Sequence, residues 1–150
     1  MHEHIILNTP YGTALADHSV PCVITQWHAF ANKTEFMALQ GAALAYFEQH
    51  STPAKPWGWV GDVRQMGAIP EEAQRWLQDD FNPRALAAGL RVVSVVVAES
   101  IFGRIATQRY EQQTATRAAA LGVAYYSSLA EAKAGAQQEL LARYPPAGSH

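Results

Sequence analysis

The sequence predicts an α/β domain: a mixed, mostly parallel five-stranded sheet flanked by helices, in the order β-β-α-β-α-β-α-β-α. Three observations carry that expectation. Short β-branched runs alternate with longer segments of helical period, two of the helices open on a capping box, and the valine run at 92–97 is apolar on both faces.

Residues 5–7 and 20–27 are short, β-branched and apolar, and the segment between them carries Gly12, Asp17 and His18, so they read as a hairpin with a longer connection. Asn32 with Glu35 three residues on opens a helix by reciprocal capping. Phe36, Gln40, Ala43 and Phe47 then recur at helical spacing to about residue 49, and Pro53 and Pro56 forbid continuation. Residues 57–63 form the third strand. Pro70, Glu71 and Glu72 open the next helix, whose stripe is Ala73, Trp76, Leu77 and Phe81, and Asn82-Pro83 kinks or splits it before Gly89 closes it.

Residues 90–98 are the fourth strand, central and covered on both sides. A helix over 104–120 with one wet face ends at Gly122, and a fifth strand follows at 123–126. Ser128 with Glu131 caps a last helix through Leu129, Ala132, Ala136, Leu140 and Leu141. Single crossover helices make successive strands parallel, while the opening hairpin is antiparallel. Residues 1–144 form one domain and 145–150 a tail.

The 150 residues are 49% hydrophobic and 16% charged, enough for one sizeable core. A formal charge of -2 with 11 scattered Lys and Arg leaves no basic surface for phosphates, so nucleic acid is not an expected partner. Cys22 stands alone, which excludes an internal disulfide and fits a reducing, cytoplasmic setting. The amino-terminal residues carry no basic segment followed by a long apolar run, and no stretch is long enough to span a bilayer.

Several residues are weighed as chemistry. Asp62 ends a strand where open α/β sheets build sites; with Arg64 it either orients a polar ligand, or it simply accepts backbone hydrogen bonds in the turn or pairs with Arg64 or Arg91. His28, at the end of the second strand, is a general base only if a carboxylate approaches it. His2 and His4 share a strand face and would need a third ligand such as His18 to hold a metal, and no metal or other cofactor is expected. Trp27, Trp57, Trp59 and Trp76 either build core or, with Met66, Phe81, Ile101 and Phe102, line an apolar pocket. Neither a glycine-rich phosphate loop nor a Gly-x-Ser-x-Gly elbow is present.

Four stretches carry a family likeness: ITQWHAF at 24–30, residues 60–70, FNPRALAAGLRVVSVVVA at 81–98 and YYSSLAEA at 125–132. With the element order, they resemble the STAS domains of anti-anti-sigma factors, and the SpoIIAA-like branch most. The resemblance implies a ligand or partner surface, in a fold sometimes likened to CRAL-TRIO lipid binders. Where phosphorylated STAS regulators carry a serine, this chain has Gly67-Ala68-Ile69-Pro70, so the resemblance does not bring the phosphorylation switch with it.

The expected function is non-enzymatic binding or regulation through a second copy or another protein. The surface is the loops at 62–69 and 99–104, with Asp62, Arg64, Met66, Ile69, Trp76, Phe81, Glu99, Ile101, Phe102 and Arg104 as its residues. The alternatives are a carrier of a small apolar ligand between the sheet and the helix bearing Trp76 and Phe81, and an enzyme using Asp62 or His28.

Overall fold

The computed structural model describes residues 3–102 and 122–145. Its sheet has six strands, not five: β1 (Glu3–Thr9), β2 (Gly12–Asp17), β3 (Cys22–Trp27), β4 (Gly58–Asp62), β5 (Val92–Val96) and β6 (Gly122–Tyr126) lie side by side in chain order. β1–β2 and β2–β3 are antiparallel, and β3 through β6 are parallel. The extra strand is β2, inside the segment expected to be a connection. Its GTALAD sequence is poor in β-branched residues, yet small side chains are what its place requires. Ala14 and Ala16 are fully buried in the core shared with α1 (Lys33–His50). A Cβ on Gly12 would stand 3.0 Å from both Leu39 Cδ2 of that helix and the Gln26 carbonyl oxygen.

α1 starts where its caps say it should. Asn32 accepts from the Glu35 amide at 2.8 Å while Glu35 Oε1 accepts from the Asn32 amide at 2.9 Å. Its buried stripe is Phe36, Leu39, Ala43, Leu44 and Phe47, with Gln40 half-buried beside it. The helix stops at Ser51, which is buried and ties three segments together: its hydroxyl donates to the Ala88 carbonyl and accepts from the Trp57 amide.

The second helical segment bends through a π turn. α2 (Glu71–Trp76) passes into Leu77–Phe81, and the Asn82 amide reaches back five residues to the Leu77 carbonyl before α3 (Asn82–Ala87) begins. Pro83, lacking an amide hydrogen, sits in the first turn of α3, where none is needed. Gly89 then takes φ +102 and lets the chain turn into β5.

Strands β3 to β5 advance in one direction, so right-handed crossovers place the helices that join them on one face. α1, α2 and α3 cover that face over Val23, Trp27 and Trp59, with Phe81 in the covering layer. α4 (Leu129–Arg143) closes the other over Cys22, Ile24, Val60, Val92 and Val96. β5 is interior but one place from the edge of the sheet. Val92 and Val96 are buried against α4's side, whereas Val93 and Val95 are only half-buried. In α4 the Ser128 hydroxyl accepts from the Glu131 amide. The box is not reciprocal through backbone, because Glu131 Oε1 instead accepts from the hydroxyls of Ser127 and Ser128. Ala132, Ala136 and Leu140 are buried, and Leu141 turns outward. The helix expected over 104–120 lies outside the described residues. Among the described residues no helix is long and apolar enough to cross a membrane.

Candidate functional site

The carboxyl ends of β3 and β4 frame a cleft of about 390 Å³ lined by Gln26, Trp27, His28, Asp62, Arg64 and Gln65. Parallel pairing puts Gln26 opposite Asp62, which is why two residues far apart in sequence share the rim.

Asp62 is 7% exposed and its carboxylate is fully engaged. Arg64 Nη2 donates to Oδ2 at 2.7 Å, Arg64 Nε to Oδ1 at 3.0 Å, and the Arg64 amide to Oδ1 at 3.2 Å. Burial pushes this carboxyl up, but the Arg64 side chain and amide, with help from Gln26, outweigh it and hold the carboxyl below its ordinary value. The bidentate pair closes the turn that ends β4, and the Met66 amide completes it on the Val63 carbonyl at 3.2 Å. A carboxylate committed in this way is a poor proton acceptor.

His28 is exposed beside it. Thr13 Oγ1 donates to Asn8 Oδ1 at 2.8 Å, so its lone pair accepts from His28 Nε2 at 2.9 Å. That assigns the proton to Nε2 and leaves Nδ1 as the acceptor in the neutral ring. Among the described residues no carboxylate orients it. The cleft thus holds an imidazole, two amides and a guanidinium on a rigid strand-end frame, equipment for grasping a polar group.

Apolar groups flank the cleft's edge of the sheet. Phe30, in the β3–α1 loop, is 58% exposed, with its Cβ against Gly67 of the β4–α2 loop, where an added Cβ would meet it at 3.1 Å. Ile101, in the helical turn at 99–102 after β5, is 36% exposed, and Glu99 is exposed there too. Met66, Ile69 and Phe102 are half-buried. Phe81 is buried at 5% exposed and Trp76 is half-buried; their rings meet at 5.8 Å, with Phe36 6.4 Å from Trp76 and Trp59 5.2 Å from Phe81. Their stripe, read from helical period, faces the core. Arg104 lies outside the described residues.

The histidines weighed as metal ligands meet over an aromatic ring instead. His4 stacks on Tyr46, and His18 Nε2 is 2.6 Å from the Tyr46 hydroxyl. His2 lies outside the described residues, among which no group of three His, Cys, Asp or Glu is placed to hold a metal. Phe30 and Gln65 are rim residues that periodicity did not flag. Their one sequence signal is position, each lying between a strand end and the next helix start.

Comparisons with protein-family models, with curated proteins and with solved structures found no match for this chain.

Proposed function

We propose that this chain is a non-enzymatic, STAS-like binding or regulatory domain that acts as a homodimer through the loops at the carboxyl edge of its parallel strands. The observation that carries the reading is the exposure of Phe30 and Ile101 on loops leaving that edge, beside a cleft whose carboxylate is already spent on Arg64. Large apolar side chains left wet around polar groups are the composition of a contact surface. The enzyme reading gains no support from a carboxylate held ionised by a bidentate arginine, and at the place the carrier reading points to, the Trp76 and Phe81 rings pack 5.8 Å apart.

Light scattering on the eluting protein tests the proposal. The wild type is expected at twice the chain mass, with Phe30→Glu and Ile101→Glu each shifting it toward the monomer. Leu141→Glu, at the opposite edge, is expected to leave the dimer intact. A wild type that stays monomeric at high concentration overturns the reading.

A further inference from the structure

At the amino edge of the parallel strands, away from the cleft, a groove of about 870 Å³ opens between the 19–21 turn, the 54–57 segment and the end of α4. That volume lies within the range of small-molecule sites, roughly 300–1,000 Å³. Its walls are mostly apolar: Val20, Trp57, Leu140, Leu141 and Tyr144 line it, with Ser19 and Gln137 the uncharged polar residues among them, and Leu141 is 52% exposed. Among the described residues no Asp or Glu lines it, and its one charged lining residue is Lys55.

Lys55 is also singular in the described residues, being the one lysine or arginine there whose head group makes neither an ion pair nor a hydrogen bond. Its backbone, by contrast, is held. The Lys55 amide donates to the Thr52 carbonyl at 3.1 Å and to Thr52 Oγ1 at 3.0 Å, and the Thr52 amide returns to the Lys55 carbonyl at 3.3 Å. Pro53 and Pro56 restrict the turn, and buried Ser51 anchors it to Ala88 and Trp57. An unpaired ammonium on a fixed turn at the rim of an apolar trough matches a ligand with the opposite design.

We propose that this groove binds a small amphipathic carboxylate, its hydrocarbon chain along Val20, Trp57 and Leu140 and its carboxylate on Lys55. The ammonium supplies a charge-assisted hydrogen bond, and burial of the chain supplies the bulk of the affinity. The site is independent of the carboxyl-edge surface and stands or falls separately.

Calorimetric titration with dodecanoate, alongside dodecanol, tests it on the full chain. One dodecanoate is expected per chain, about tenfold weaker with Lys55→Glu and close to wild type with Lys55→Arg, while dodecanol is indifferent to both. Leu141→Glu, an exposed change that places an anion at the groove, is expected to weaken dodecanoate similarly. Backbone amide shifts on titration are expected around 19–21, 54–57 and 137–145. Absence of dodecanoate binding overturns the proposal. Binding untouched by Lys55→Glu overturns it equally. So does a wild-type dimer that Leu141→Glu splits, which would mean that a second copy fills the groove.

Discussion

Replacing Asp17 by asparagine isolates the tie between the opening hairpins and the last helix. Asp17 is 3% exposed at the end of β2, with Oδ2 2.6 Å from Lys133 Nζ on α4 and Oδ1 accepting from the Ser19 amide and hydroxyl. Burial alone raises its pKa; the Lys133 ammonium and the two Ser19 donors prevail and bring it from 3.8 down to about 2. At about 1.4 kcal/mol per unit, that gap is worth about 2 kcal/mol of folding free energy. Because the folded value lies below the unfolded one, the stabilisation is complete above pH 3.8 and disappears as pH falls toward 2. Lys133 does not confuse the acid window: its pKa is raised from 10.5, so its share is complete at neutral pH and is lost only as alkaline pH rises through the folded value. Urea unfolding of wild type and Asp17→Asn should therefore differ by about 2 kcal/mol near pH 6, and the difference should shrink steadily below pH 4. An equal difference at pH 6 and pH 2.5, or none at either, would refute the reasoning.

Three further outcomes are expected. Gly12→Val should lower stability by about 1–3 kcal/mol in thermal melts, since its side chain must displace Leu39 or the Gln26 carbonyl, and a neutral result would mean that α1 rests less closely on β2. Gly89→Ala should cost about 1–3 kcal/mol, because φ is +102 and the new Cβ would lie 2.6 Å from the Thr52 carbonyl oxygen; an unchanged melt counts against that closure. Cys22 is fully buried, and burial with the nearby Asp17 charge pushes its thiol up to about 12, so a thiol reagent at pH 8 should label it only at the rate of unfolding. Rapid labelling of native protein would contradict its position.

The sequence displays best what is held locally. Asn32 with Glu35 marks a helix start because both bonds close within one turn, and Gly89 marks an end because its backbone sign is a property of that residue. β2 was hidden because its small residues answer to a helix across the layer rather than to strand propensity, and missing it also hid Thr13 as the partner of His28. Asp62 was legible as a strand end, and its commitment to Arg64 two residues on was among the pairings expected. The exposure of Phe30 depends on what the surrounding loops leave uncovered, and the amino-edge groove joins segments more than a hundred residues apart, so neither has a local signature.

Hydrogen exchange of the wild type at low and high protein concentration measures the central claim most directly, because it locates the contact surface without altering a residue. Slower exchange at high concentration in peptides covering 28–32, 64–69 and 98–102, with no change at 52–57, is the result expected of a carboxyl-edge dimer. Unchanged exchange in those loops, or protection that appears instead at the amino edge, would contradict it.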